Sequence, residues 1–212
     1  MAFTNETATT IIDSGHTAWI LVSMALVLLM MPGLAFLYAG LLHKRSAVTM
    51  IMQNFASVGV IFILWFLFVF SLCFGHTYSL VGSITTFGMF HNVNDMPLYY
   101  GEMGQVDLFN ADHTIIAGTV VSDIPGLVFA GYQGMFAVIT PALMTGAFVD
   151  RLRFGPYLFF ISIWITIVYA PFCHWIWGGG FLGQWGVRDF AGGICVHVLS
   201  GFSALAAVHM LG

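Results

Sequence analysis

An aromatic residue, a carboxylate and a histidine lie along residues 177–197, where two strongly apolar segments meet. They are Trp177, Asp189 and His197. Ionisable side chains at membrane depth are costly and usually mark a pathway or a binding site. A histidine there can carry a proton, line a pore or act as a ligand, although a neighbouring backbone carbonyl can also simply satisfy it. The Gly192-Gly193 pair before the histidine is expected to let helices pack closely.

Asp189 is placed to begin the last apolar helix, where a carboxylate caps free backbone N–H groups and favours the helix dipole. A cation-binding role can be added to that structural one, because a negative charge lowers the cost of dehydrating a cation. With a helix starting at Asp189, His197 lies eight residues further on, roughly 12 Å along the axis.

Three aromatic residues are candidates for the same site. Tyr132 and Phe136 are four residues apart and share one helix face, and Trp177 precedes Asp189. Aromatic residues are common at membrane interfaces without any further role. The alternative is a box for a small cation, worth about 0.5–2 kcal/mol per ring.

The composition is that of a membrane protein. Hydrophobic residues make up 59% and charged residues 7% of the 212 positions. Five Lys and Arg residues cannot form the basic face that nucleic-acid binding needs. The cysteines follow no metal-binding spacing, so we expect no metal or other cofactor.

Apolar runs of about 20 residues, enough to cross a bilayer, predict an all-α fold, a polytopic transmembrane helical bundle. The expected spanning helices cover about 17–42, 47–75, 125–149, 155–178 and 189–211. Residues 1–16 form an N-terminal segment, and the loop from about 76 to 124 is the one long polar stretch.

The positive charges predict the orientation. Lys44 and Arg45 follow the first span, Arg151 and Arg153 follow the third, and Arg188 alone lies on the other side. Lys and Arg favour cytoplasmic loops. We therefore expect residues 1–16 and the loop 76–124 to be extracellular and the C-terminus to be cytoplasmic.

Five segments, in order, resemble the ammonium transporters of the Amt/Mep/Rh group, and the Amt/Mep branch more than the Rh branch. They are Pro32-Gly-Leu-Ala-Phe-Leu-Tyr-Ala-Gly40, Tyr132-Gln-Gly-Met-Phe136-Ala, Asp150-Arg-Leu-Arg-Phe154, Trp177-Gly-Gly-Gly180 and Asp189-Phe-Ala-Gly-Gly-Ile-Cys-Val-His197. The resemblance runs from about residue 17 to the end of the sequence.

The resemblance implies a homotrimer of eleven-helix subunits, each with its own pore. An outer surface exposed to nutrient fits a plasma membrane. Such a protein recruits NH4+ outside, removes a proton and passes ammonia through a hydrophobic channel. By position, Trp177 and Tyr132 would form the outer cation site, and Phe136 would be one ring of the gate below it. Asp189 would support the site without touching the ion, and His197 would be the first of two pore histidines.

The second histidine of that pattern has no candidate here, so we expect residues 17–212 to be the first half of an inverted-repeat transporter. The chain is then expected to be a fragment, a truncated gene product or one part of a split protein. An ammonium-sensing or degenerate membrane subunit that does not conduct is the alternative. A haem-binding redox protein using His197 and His209 is a third hypothesis. It would require further histidines at matching depths, and only His174 and His43 are available, both near span ends.

Overall fold

The computed structural model describes residues 12–75, 80–95, 97–98 and 123–212, and this part of the chain is built from helices with one isolated bridge between Pro97 and Pro125. Five helices in it are long and apolar enough to cross a membrane. They are Ser14–Leu41, Lys44–Phe74, Gly126–Phe148, Phe154–Gln184 and Gly193–Leu211. The predicted helical bundle with five spanning helices is therefore confirmed.

Three helix starts differ from the prediction by three residues or more, and one of them is the second helix, which begins at Lys44 rather than at position 47. The first helix begins at Ser14, three residues early, because the Asp13 side chain accepts a hydrogen bond from the backbone N–H of His16 at 2.7 Å. The end of the predicted N-terminal segment is thus helical. The fifth helix begins at Gly193, four residues later than the predicted 189.

Much of the predicted loop 76–124 lies outside the described residues. Its described part contains a short helix, Ile84–Phe87, followed by a 3-10 turn, Gly88–Phe90. Ser71 near the end of the second helix donates from its hydroxyl to the carbonyl of Ser83 at 2.6 Å. This bond ties the short helix to the bundle.

Irregular turns occur in four of the five spanning helices. Wider π turns occur at Trp65–Val69 in the second, Ile165–Tyr169 in the fourth and Gly193–Val198 in the fifth. The third helix breaks between Leu143 and Thr145, just after Pro141. Proline removes a backbone donor, and π turns are frequent near functional sites.

Polar groups link the helices within the membrane-embedded core. The indole nitrogen of Trp65 donates to the carbonyl of Ala130 at 3.0 Å, which joins the second and third helices. Ser57 and Tyr157 join the second and fourth at 2.7 Å, and Trp164 donates to the Ser203 hydroxyl at 3.0 Å. Each bond satisfies a polar group that hydrocarbon would leave unpaired.

Apolar side chains also cover the outside of the bundle. They are most numerous on the first and last helices, where they include Trp19, Leu29, Phe36, Phe202 and Leu205. In water such a surface would drive aggregation, whereas in a bilayer it contacts acyl chains. The exterior is therefore that of a lipid-embedded protein.

Candidate functional site

Trp177 lies in a tight turn that closes the fourth helix. The continuous helix ends at Ile176 and a last turn, Phe181–Gln184, follows the glycine run. A Cβ on Gly178 would collide with the carbonyl oxygen of Cys73, at the end of the second helix. That same carbonyl bonds the Nδ1 atom of His174 at 2.9 Å. Glycine is needed here because the turn packs directly on another backbone.

The three predicted aromatic residues form a continuous row. The ring centroids of Tyr132 and Phe136 are 5.0 Å apart with the planes at 90°. The centroids of Phe136 and Trp177 are 5.9 Å apart with the planes at 62°. All three side chains are partly buried. The row presents aromatic faces and edges that can attract a small cation.

Asp189 joins this row to the fifth helix. Its backbone carbonyl accepts a hydrogen bond from the indole nitrogen of Trp177 at 2.8 Å. Its carboxylate accepts three backbone N–H groups, from Gly193 at 2.6 Å, Ile194 at 2.8 Å and Cys195 at 2.9 Å. Asp189 therefore caps the helix as predicted, but from four residues before its first turn.

The glycine pair at the start of the fifth helix acts differently from the prediction. Gly192 has φ +77°, a left-handed conformation that side chains rarely adopt, and a Cβ there would lie 2.8 Å from Cγ2 of Val196. The residue is needed for its backbone conformation rather than for packing between helices. Gly193 is exposed, and a Cβ there would meet only the Asp189 carboxylate at 3.6 Å.

His197 lies in the π turn that opens the fifth helix, and its backbone N–H donates to the carbonyl of Gly192 at 3.0 Å. The later helix start places it four residues past Gly193, about 6 Å along the axis rather than the predicted 12 Å. Its side chain is exposed. It lines an open groove of about 200 Å³ together with Val198, Gly201, Phe202 and Leu205.

The other histidines considered above, His174, His209 and His43, do not line this groove. His174 is buried, with 1% of its surface exposed, and its Nε2 atom has no hydrogen-bond partner in the described part of the chain. His209 is exposed near the other end of the fifth helix, and His43 is exposed between the first two helices. No cluster of three metal-binding side chains occurs among the residues that the structure describes.

The structure adds Gly192 and Gly178 to the residues that shape the site. Neither contributes a reactive group, and each acts through its backbone. The sequence signal was present in the glycine runs 178–180 and 192–193. The sequence does not reveal which backbone the turn packs against, because Cys73 lies about a hundred residues before Gly178 in the chain.

Comparison with known proteins places this architecture in one class of membrane transporter. The model of the Ammonium Transporter Family matches residues 18–212. A putative ammonium transporter of Methanothermobacter thermautotrophicus is 41% identical over 203 residues, covering 95% of this chain and 45% of that protein. Ammonium transporter Amt1 of Archaeoglobus fulgidus is 37% identical over 200 residues, covering 94% of this chain and 44% of that protein.

Solved structures agree with the sequence relatives. Candida albicans Mep2 superimposes with a TM-score of 0.78 at 34% identity, covering 94% of this chain and 40% of that one. Saccharomyces cerevisiae Mep2 gives a TM-score of 0.79 at 33% identity, covering 100% and 43%. The chain belongs to the ammonium transporter family, and the predicted resemblance is confirmed. The relatives are transporters and not enzymes, which sets the haem hypothesis aside. The chain spans less than half the length of these relatives.

Proposed function

We propose that the chain supplies one half of an ammonium-conducting pore, with NH4+ recruited at the outer aromatic row and ammonia passed along the surface that carries His197. The observation that carries the proposal is the linkage through Asp189. One residue holds Trp177 by its carbonyl and the His197 helix by its carboxylate. The ion-binding and proton-handling groups are thereby fixed relative to each other.

The outer site would consist of Trp177, Tyr132 and Phe136. Ring faces carry partial negative charge and attract a small cation without a formal counter-charge. Phe136 contacts both other rings, so it would close the floor of the site and act as one ring of a gate. An aromatic site binds a cation weakly enough to release it.

Asp189 would support the site without touching the ion. Both carboxylate oxygens already accept backbone N–H groups, and an oxygen used in this way is poorly available as a ligand. Its negative charge still favours a cation nearby. The role follows from charge and position rather than from coordination.

His197 would receive or relay the proton that ammonium loses. Ammonium and potassium are similar in size and charge, and an apolar pore rejects both because a bare ion is costly to desolvate. Only ammonium can shed a proton and cross as a neutral molecule. An imidazole can both accept and donate a proton, which suits it to that exchange.

The exposure of His197 on an open groove supports the view that the pore wall is shared with a second set of helices. That set would supply the other pore histidine. We further propose a homotrimer in the plasma membrane, with residues 1–16 and the segment 76–124 outside and Lys44, Arg45 and Arg151 at the cytoplasmic side.

A second candidate function is ammonium sensing without conduction. A structure named "Sensor Amt Protein" superimposes with a TM-score of 0.72 at 26% identity, covering 92% of this chain and 44% of that one. In that case the outer aromatic row would bind ammonium, and occupancy rather than flux would be the output. The same residues serve both functions, so flux must be measured directly.

The test is ammonium uptake in liposomes that contain a pH-sensitive dye, by the purified protein that carries these residues together with the second set of helices. Empty liposomes give the baseline for passive ammonia permeation. Alkalinisation faster than that baseline, and slower in Trp177→Leu at ammonium concentrations below saturation, supports conduction. Ammonium binding with no flux above the baseline supports the sensing function. Neither binding nor flux would contradict both.

A further inference from the structure

The outer end of the first helix is joined to the segment that leads into the third helix. The backbone N–H of Asp13 donates to the carbonyl of Asp123 at 2.9 Å. The Nδ1 atom of His16 also pairs with the carboxylate of the same Asp123. Asp123 is thus held through its main chain by Asp13 and through its side chain by His16, both at the start of the first helix.

Asp13 completes a small ring of contacts. Its carboxylate accepts the backbone N–H of His16 at 2.7 Å and lies 4.0 Å from Nδ1 of the same residue. That N–H hydrogen bond, together with the nearby imidazole, holds the pKa of Asp13 below its usual value of about 3.8. Asp13 therefore stays charged throughout the pH range in which an imidazole titrates.

The imidazole is the one group of this ring whose charge changes near neutral pH. The titratable groups that face it in the described part of the chain are Asp13, from its own helix start, and Asp123, from the segment before the third helix. Carboxylates are ordinarily negative in that range. Protonated His16 is attracted by two charges, whereas the neutral imidazole retains at most a hydrogen bond.

The segment held by this ring leads directly to the aromatic row. Ile124 is buried at 6% exposure, and the backbone N–H of Leu127 bonds the carbonyl of Asn94 at 3.0 Å. The third helix then begins at Gly126 and carries Tyr132 less than two turns further on. Release of Asp123 would loosen the segment that positions the aromatic side chain of Tyr132.

We propose that His16 and Asp123 form a proton-dependent latch at the outer face, closed when His16 is protonated and loosened when it is neutral. The proposal concerns a conformational equilibrium and does not rest on conduction. In this proposal, the start of the first helix controls the conformation of the segment before the third helix.

The sites are exposed, with side-chain exposures of 67% for His16 and 47% for Asp123, so the effect is modest. An exposed ion pair shifts an opening equilibrium by about two- to five-fold. The probe is hydrogen exchange of the Asp13 amide, which donates to Asp123. Selective labelling of aspartate with 15N in the nanodisc-embedded protein makes that amide observable. After correction for intrinsic exchange, its protection should fall by about two- to five-fold between pH 5.5 and pH 8.

Two substitutions make the test specific. Gln in place of His16 can still donate a hydrogen bond but does not titrate, so His16→Gln should remove the pH dependence. His209→Gln, which alters an exposed histidine in the last helix, should leave it intact. Protection that is constant between pH 5.5 and pH 8, or an unchanged pH dependence in His16→Gln, would overturn the latch. Flux measurements play no part, so the failure of the latch and the failure of the transport proposal are separable.

Discussion

The indole nitrogen of Trp177 donates a 2.8 Å hydrogen bond to the backbone carbonyl of Asp189, a residue twelve positions further along the chain. The Asp189 carboxylate points the other way and accepts N–H groups of the fifth helix. Asp189 thus fixes the orientation of an aromatic ring and the start of a helix at once. A substitution there is expected to affect stability and ligand binding together.

Removal of the Asp189 carboxylate should destabilise the fifth helix. Asp189→Ala leaves three backbone N–H groups without their acceptor, and loss of such a cap costs about 1–2 kcal/mol. Asp189→Asn retains one acceptor oxygen and should cost less. Thermal unfolding in detergent should show a Tm lower by about 2–8 °C for the alanine variant. Asp95→Asn, which alters an exposed acid between the second and third helices, controls for simple charge loss; an equal shift there would contradict the capping role.

The aromatic row yields a prediction about ligand binding. Trp177→Leu removes one ring of the proposed cation site and should weaken ammonium binding by about 2- to 30-fold, corresponding to about 0.5–2 kcal/mol. Calorimetric titration with ammonium chloride, corrected with sodium chloride, gives the affinity. Trp185→Leu is a matched control, because Trp185 is 76% exposed and contacts Phe181 rather than the row. Unchanged affinity in Trp177→Leu would remove this ring from the binding site.

The sequence was sufficient to predict the bundle because each spanning helix is a long apolar run, and length alone distinguishes it from a soluble helix. The contact between Tyr132 and Phe136 can also be predicted from the sequence, since a spacing of four residues places them on one helix face. These features depend on local sequence. Neither requires knowledge of which helices are neighbours.

Other features depend on tertiary structure. Phe136 and Trp177 lie 41 positions apart, and only the packing of the third helix beside the end of the fourth brings their rings together. The start of the fifth helix was misplaced because Asp189 caps from a distance, across a left-handed Gly192 and into a π turn. Capping patterns read from sequence assume that the capping residue directly precedes the helix.

The buried carboxamide of Gln53 provides a test of core packing. Its side chain is fully buried, and neither its oxygen nor its nitrogen has a hydrogen-bond partner among the described residues. An apolar side chain of similar volume avoids that unpaired burial, so Gln53→Leu should stabilise the protein by about 1–3 kcal/mol. The measurement is the Tm relative to Met52→Leu, a change on the same helix at a residue that is 56% exposed. A lower Tm for Gln53→Leu would mean that the carboxamide has a partner in the membrane-embedded protein.

His197 is expected to govern proton handling. His197→Ala removes the imidazole from the groove and should alter either the ammonium flux or the discrimination against potassium in the liposome assay. His209→Ala changes a second exposed histidine of the same helix and should leave both properties intact. If the two variants behave alike, His197 has no special part in conduction. Gln in place of His197 separates hydrogen bonding from proton exchange, because the amide does not titrate.

Gly192 and Gly193 provide a test of the junction between the aromatic row and the His197 helix. Gly192 has φ +77°, and a Cβ there would lie 2.8 Å from Cγ2 of Val196 and 3.5 Å from the Trp177 ring. Left-handed backbone costs a residue with a side chain about 1–2 kcal/mol, and relief of the close contact would displace the neighbouring side chains. Gly192→Ala should therefore lower both the Tm and the ammonium affinity. Gly193→Ala places its Cβ in ordinary contact with Asp189 at 3.6 Å and should change both much less, so equal losses in the two variants would contradict the special role of Gly192.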